Sequence, residues 1–523
     1  MHLFLAAVAV AALSFAASAG HAQTIYPIDR AEILAGARFD FKVEFPGLAE
    51  PNNLAVTVND EDYLKLFGKR ATFVEREDGQ DQSALLLRDV SLPRPGLYKI
   101  RVSDGMRARE VSWTVYDTGP RRAKNVILFI GDGMSPAHRI AARLLAKGIA
   151  EGKSFGKLAM DDMPHMALVA TAGTDSIITD SANSASAYAT GHKSAVNAMG
   201  VYADRTMDPF DDPRVETITS LVKRRLGMAV GIVTNTEIED ATPAAMVAHT
   251  RRRTEYDRIV EQFLAAKPEV IMGGGSANFL PKSAAGSRRK DDVDYIARFR
   301  DAGYSVASTA AELATVAGTP ATIRLLGLFT PGNMDGALDR KFLKGGTVER
   351  FPDQPDLTDQ VGAALTVLSK NEAGFFLMVE SGMIDKYTHL LDMERAVYDT
   401  IMLDNAVKVA SDWARARRRY ADPGPGRPQS SDQPHRYDRR RHGRDAQRAD
   451  ARAGSGLRTG RISQLPRSRC ARVPGPRRRE PPPGVVLGQP AGPLRDVPPQ
   501  AGQSEQSDRG RARAGQFQGQ RAL

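Results

Sequence analysis

From Thr24 to Asp117 hydrophobic and polar residues alternate with a period of two: Phe39, Phe41, Val43 and Phe45, then Tyr98, Ile100 and Val102, then Val111, Trp113 and Val115. Strands buried on one face give this pattern, because successive side chains point to opposite faces. Breaks at Pro46-Gly47, Pro51-Asn52-Asn53 and Pro93 to Gly96 separate the runs, so residues 24–118 are predicted to form a small β-sandwich of immunoglobulin-like type. No chemistry is expected there; a spacer or partner-binding module is. After Thr118-Gly119-Pro120 the pattern changes to short, wholly apolar runs, Val126 to Ile130, Ala229 to Val233 and Phe375 to Val379, set among helical segments. Parallel strands covered on both faces read this way, so residues 121–414 are predicted to be α/β. One helix is predicted from Thr358, as its cap, to Lys370, with Val361, Ala364, Leu365 and Leu368 in one stripe, and another from Glu394 to about Ala414.

The two ends follow other rules. Leu3 to Ala17 is almost wholly apolar and leads into Ala17-Ser18-Ala19-Gly20-His21-Ala22, so residues 1–22 are predicted to be a signal peptide and the protein to be exported, periplasmic or extracellular. No other stretch reaches the roughly 20 apolar residues of a membrane span, and none is expected in the mature chain. Residues 415–523 are rich in Arg, Pro and Gly. From Trp413 to the end there are 25 Arg, no Lys, 14 Pro and 14 Gly, a composition that buries no core.

The chain's net charge of +10 resides in that tail: residues 413–523 net +16 and everything before them −6. The body is therefore not predicted to bind nucleic acid. The tail has two readings, a natural disordered basic segment, acting as a nucleic-acid- or membrane-surface arm, or the product of a shifted reading frame in a GC-rich gene. The absence of lysine after Lys408 favours the second. Asp422-Pro423-Gly424-Pro425-Gly426-Arg427 implies GAY-CCN-GGN-CCN-GGN-CGN, and one base later these codons permit Ile or Thr, then Leu-Val-Leu-Val and Ala or Val: a buried strand. The sole cysteine, Cys470, also lies in the tail, so any metal ligands in the body are oxygen or nitrogen.

Four segments of the body put polar groups at strand ends or helix starts, where open α/β sheets bind ligands. Asp132 follows the first apolar run between Gly131 and Gly133. Ser181 opens a small-residue helix stopped by Gly191, where free N–H groups favour an anion. Thr242 precedes Pro243 and is expected to cap a helix, followed by the run Arg251-Arg252-Arg253. Glu380 ends a buried run, where a carboxylate is costly without a cation, and Asp385 and His389 lie four apart, on one face of a helical turn, as paired metal ligands do. Each also has a plain structural reading: a turn-forming Asp132, a capping Ser181 or Thr242, a solvated arginine face.

Taken together, Asp-Ala-Thr-Pro-Ala-Ala at 240–245, Ile-Asp-Lys-x-x-His at 384–389, Val270 to Gly275 and Gly374 to Glu380 resemble the alkaline phosphatases, over about Lys124 to Val409. The resemblance implies a three-layer αβα sandwich with a mostly parallel central sheet, two zinc ions and one magnesium. It implies phosphomonoester substrates hydrolysed through a phosphoserine, an alkaline optimum and a possible homodimer. It makes Ser181 the nucleophile and a ligand of one zinc, and Arg253 the clamp on the phosphoryl oxygens. Asp132 would bridge that zinc and the magnesium, Thr242 and Glu380 would complete the magnesium site, and Asp385 and His389 would hold the second zinc. Asp180 would position Arg253, and Asp240 and Lys386 would tune magnesium and phosphate binding.

The sequence departs from the pattern in small ways at Asn183 and Ser186 and in a large one after His389. The family's Asp-His pair and later histidine are missing; His435 and His442 are the only later histidines, both in arginine-rich sequence. The magnesium ligands are thus complete and both zinc sites incomplete, so zinc affinity and turnover are expected to fall by orders of magnitude. The alternative to a working phosphatase is a remnant that binds only phosphate and magnesium.

Overall fold

The computed structural model describes residues 23–421. Residues 1–22 and 422–523, and with them the expected leader, most of the tail, His435, His442 and Cys470, lie outside the described residues.

The alternating runs of the first hundred residues form a four-stranded antiparallel sheet and a five-stranded sheet that share one core. Phe39, Phe41, Val43 and Phe45 pack against Ile100, Val102, Val111 and Val115. Trp113 is fully buried, meets Phe39 and Phe41 edge-on at 5.6 and 6.1 Å, and donates from its indole N–H to the Pro27 carbonyl at 3.0 Å. This satisfies the one polar group that a buried tryptophan carries.

The rest of the described chain is built on a six-stranded sheet in which every pairing is parallel. Its strands are β1 (Val126–Gly131), β2 (Ala229–Glu237), β3 (Val270–Gly274), β4 (Ser305–Ala307), β5 (Leu325–Leu328) and β6 (Phe375–Ser381), in the spatial order β1-β6-β2-β3-β5-β4. The helices that matter are α1 (Pro136–Lys147), α2 (Ser181–Thr190), α3 (Ile218–Leu226), α4 (Tyr256–Ala266), α5 (Tyr295–Asp301), α6 (Ala310–Gly318), α7 (Leu357–Leu368), α8 (Met383–His389) and α9 (Met393–Ala421).

The period-two rule now works on both faces. Val230, Ile232, Ile271 and Met378 pack with residues of α2, α3, α4 and α5. Val233, Met272, Leu377 and Val379 pack with residues of α6, α7 and α9. Two cores on the two sides of one sheet make the three-layer αβα sandwich.

Three sequence expectations need correcting. Strand β2 runs past Val233 through Thr234, Asn235 and Thr236 to Glu237, all buried, because these polar groups find partners inside the protein. Asp356, not Thr358, caps α7; the Asp359 carboxylate accepts from the Asp356 amide at 2.9 Å, and the fully buried Leu357 already lies in the helix. Helix α9 runs on past Ala414 to Ala421.

Segment 199–215, which follows α2, is fastened to the sandwich. Phe39 bridges to Val215, Arg205 donates to the Ser83 carbonyl at 2.8 Å, and the buried Lys42 ammonium pairs with Asp204. Tyr202 stacks on Tyr26 at 5.8 Å.

Candidate active site

Strands β1, β6 and β2 lie side by side, and their carboxyl ends converge. The register pairs Ile130 with Glu380 and Thr234 with Glu380, which sets Asp132, just beyond β1, next to the Glu380 carboxylate. Glu380 is buried and accepts from Thr234 at 2.6 Å and Thr236 at 3.3 Å. Burial first, and then the negative charge of Asp132, push its carboxyl up to about 8, against hydrogen bonds from Thr234 and Thr242. Asp132 is raised too, by burial and by Asp385.

Gly133 has φ 61°, and a Cβ there would lie 2.6 Å from Asp385 Oδ1. Glycine is what lets α8 come this close. On α8, Asp385 and His389 share one face, with His389 Nε2 3.4 Å from Asp385 Oδ2.

Ser181 is the first residue of α2. Asp180 caps the helix: its Oδ1 accepts from the Asn183 amide at 3.0 Å, and Asn183 Oδ1 accepts from the Asp180 amide at 3.0 Å. Asn183, unusual for the pattern, thus closes a reciprocal cap. The buried Ala182, Ala185 and Ala189 seat the helix, and Gly191 ends it at φ 77°. Ser181 Oγ donates to Asp132 Oδ2 at 2.9 Å.

Arg253 lies across from the serine. Its Nη1 donates to Asp180 Oδ2 at 3.2 Å and its Nη2 to Asp240 Oδ1 at 2.7 Å, while Lys386 Nζ donates to Asp240 Oδ2 at 2.7 Å. Burial would raise the Asp240 carboxyl, but Lys386 and Arg253 outweigh it and bring it to about 2. Asp240 also caps the one-turn helix 241–244 through the Ala241 amide at 2.8 Å. Thr242 is therefore not the cap; it lies inside that turn, with its hydroxyl on Glu380. Arg251 and Arg253 are turned inward, and of the run only Arg252 is exposed.

An open cavity of about 730 Å³ unites these groups, lined among others by Asp132, Ser181, Arg253, Asp385, Lys386 and His389. Asp240, Glu380 and Thr242 lie behind it. Sequence reasoning missed Thr234 and Thr236, whose hydroxyls hold Glu380. The signal was present in the polar Thr-Asn-Thr that continues an apolar run. It also missed His138, which bridges Ser135 Oγ at 2.9 Å and Thr388 Oγ1 at 3.0 Å, tying α1 to α8.

The donors bear unequally on metals. Asp132, Thr242 and Glu380 offer oxygen only, and two crowded carboxyls held above their ordinary range are a set that a hard divalent cation would relieve. They fit magnesium. For zinc, Asp385 and His389 converge alone, and among the described residues no group of three or more His, Cys, Asp or Glu side chains gathers into a metal cluster. The described residues do not make a closed zinc site.

Residues 123–419 match the family model described as alkaline phosphatase. The alkaline phosphatase of Escherichia coli (strain K12) is 35% identical over 330 residues, 56% of this chain and 67% of that protein. Alkaline phosphatase H of Pseudomonas aeruginosa is 33% identical over 333 residues, 57% and 67% of the two chains. Among solved structures, the Thermus thermophilus alkaline phosphatase aligns at 30% identity with a TM-score of 0.49, and this chain spans 57% of it.

Proposed function

This chain belongs to the alkaline phosphatase family, and we propose on that footing that its pocket hydrolyses phosphate monoesters with the phosphoryl group passing through Ser181. The observation that carries the reading is the placement of Ser181 at the start of α2, bonded to Asp132 and facing Arg253 across the cavity.

The free N–H groups at the head of α2 and the Arg253 guanidinium bind and orient the phosphate, the arginine as a planar fork already squared by Asp180 and Asp240. Ser181 Oγ attacks phosphorus in line with the departing alcohol, and Asp132 Oδ2 is the acceptor placed to hold the serine proton. Lys386, paired with Asp240, keeps positive charge at the same wall of the cavity. Asp132, Thr242 and Glu380 would hold magnesium, which when bound supplies charge neutralisation among the carboxylates. No step is assigned to zinc, because the described residues supply only part of each zinc site.

Acid quenching during turnover of p-nitrophenyl phosphate, followed by peptide mass spectrometry, should trap phosphate on Ser181, and Ser181→Ala should remove both the label and the turnover. Turnover that survives Ser181→Ala would sink the assignment. The two-donor geometry at Asp385 and His389 favours a second reading, a protein that binds phosphate and magnesium without turning over. Metal analysis of the purified chain separates the two: magnesium alone supports the second, magnesium with two zincs the first.

A further inference from the structure

The carboxyl end of β2 acts on both faces of the sheet, because successive side chains of a strand point to opposite sides. Thr234 and Thr236 hold Glu380 on one side, while Asn235, between them, meets Asp399 of α9 on the other. Asn235 is 1% exposed and Asp399 is fully buried, so each of their polar atoms needs a partner inside the protein.

The Asn235 carboxamide has all of its partners. Its Oδ1 accepts from the Gly382 amide at 2.8 Å and from the Met383 amide at 3.2 Å. Its Nδ2 donates to Asp399 Oδ1 at 3.1 Å and to Ser381 Oγ at 3.4 Å. Two acceptor and two donor positions are the whole capacity of this side chain. Its orientation follows from the partners, since backbone amides only donate and a carboxylate accepts. Aspartate at 235 would turn an oxygen on Asp399, and leucine would leave the two amides unpaired.

These bonds bear on the cavity through α8. The Gly382 and Met383 amides stand at the head of that helix, where N–H groups have no partner within the helix itself. The Gly382 carbonyl in turn accepts from the Lys386 amide at 3.2 Å, so the bonded path from Asn235 reaches the residue that pairs with Asp240. With seven residues α8 is far too short to stand alone, and its place is set by its anchors. These are Asn235 at the head, the Tyr387 hydroxyl, which accepts from the Gly336 amide at 3.0 Å, and Thr388 on His138. Of the three, Asn235 is the one on β2, the strand that Asp240 follows.

We propose that Asn235 is a positioning residue of this pocket: its carboxamide seats the head of α8 against β2, and so sets where Lys386 meets Asp240 and where Asp385 stands in the cavity. As a role in phosphate binding this rests on the phosphatase reading; as a seat for α8 it does not.

The test is a polarity swap in the full chain at about pH 8.5, where Asp399, pushed up to about 7 by burial, is ionised. Asn235→Asp keeps an acceptor for both amides but sets a second carboxylate against Asp399. Adding Asp399→Asn returns a donor to that contact with the two groups exchanged. Lys386 is labelled with acetic anhydride and followed by peptide mass spectrometry. Burial would lower its ammonium, but Asp240 outweighs burial and keeps it charged, so it reacts slowly in the wild type. Asn235→Asp should speed its labelling about tenfold, the equivalent of one pKa unit, and the double variant should restore the slow rate. Lys223 on α3, paired with Glu269 at 2.6 Å, would report a general loosening and should not change. In parallel, inorganic phosphate read as thermal protection should bind Asn235→Asp at least about tenfold more weakly, and the double variant as it binds the wild type.

Unchanged labelling of Lys386 in Asn235→Asp overturns the proposal, as does labelling of Lys386 and Lys223 raised together. A double variant no better than Asn235→Asp overturns it too, and so does phosphate protection in Asn235→Asp equal to that of a protected wild type. A wild type that phosphate does not protect counts against the phosphatase reading, and the labelling then decides the seating of α8 by itself. Asn235→Ala, which removes the bonds without adding a charge, is read by the same two measures should Asn235→Asp not fold.

Discussion

Acidification should unfold this protein partly through one histidine that never approaches substrate. His192 follows the glycine that stops α2, is buried, and is held down to about 4 by loss of solvation. Its Nδ1 lies 2.7 Å from the Tyr202 hydroxyl, whose oxygen accepts from the Ile28 amide, so the tyrosine donates to an unprotonated Nδ1. A proton on Nδ1 would remove that bond and bury a charge. The folded state thus binds the proton more weakly than the unfolded chain, where the imidazole titrates near its ordinary 6.5. Stability is fully present above the unfolded value and is lost as pH falls from 6.5 toward 4. At ~1.4 kcal/mol per pH unit this amounts to roughly 3 kcal/mol in all, and to about 2 kcal/mol between pH 7.5 and 5.

His192→Asn keeps an acceptor for Tyr202 and removes the titration. Urea denaturation of both proteins across that range, in a chelator, gives the difference free of the carboxylates and of His138 and His249, which titrate alike in both. Burial lowers those two histidines as well, so wild type and variant should both weaken in acid, the wild type by about 2 kcal/mol more. Parallel curves would refute the reasoning.

Gly133→Ala should cost ~1–3 kcal/mol, because its φ of 61° is strained for any side chain and the new Cβ would meet Asp385; denaturation with unchanged unfolding slope would show it. Adding magnesium should raise the melting temperature of the wild type in a concentration-dependent way, and more at alkaline pH, where it no longer competes with the proton that Glu380 holds up to about 8; Glu380→Gln should abolish the response. Arg253→Ala should weaken inorganic phosphate, read as thermal protection, by at least about tenfold, the worth of a charge-assisted bond pair. Phosphate protection equal to wild type would remove the clamp from Arg253.

Much of this architecture was legible along the chain. Phe39, Phe41 and Trp113 announced a half-buried sheet, and Ala229 to Val233 and Phe375 to Val379 a sheet covered twice, because strand periodicity is local and burial acts on each side chain independently, whereas Val126 to Ile130, which reads just as apolar, forms a strand that is half-exposed among the described residues. Ser181 was placed at a helix start by its small neighbours and Gly191, and Asp385 and His389 on one face by their spacing. The cap of α7, by contrast, passed from Thr358 to Asp356, and that of the 241–244 turn from Thr242 to Asp240, because several residues near a helix start can serve and packing selects among them.

Spacing along the chain fixed which residues carry oxygen, nitrogen and charge. It could not fix what Thr234 and Thr236 do, since they end an apolar run in sequence and hold Glu380 only because β2 lies beside β6. Nor could it show that Asp180, Asp240, Arg253 and Lys386 form one chain of charge, as these residues come from different elements and meet only at the carboxyl ends of the strands. That β1 stands at the end of the sheet among the described residues is of the same kind. Whether a strand is central or edge depends on what pairs with it across space, and the order of strands is a property of the folded sheet, set by crossover handedness and not by any residue alone.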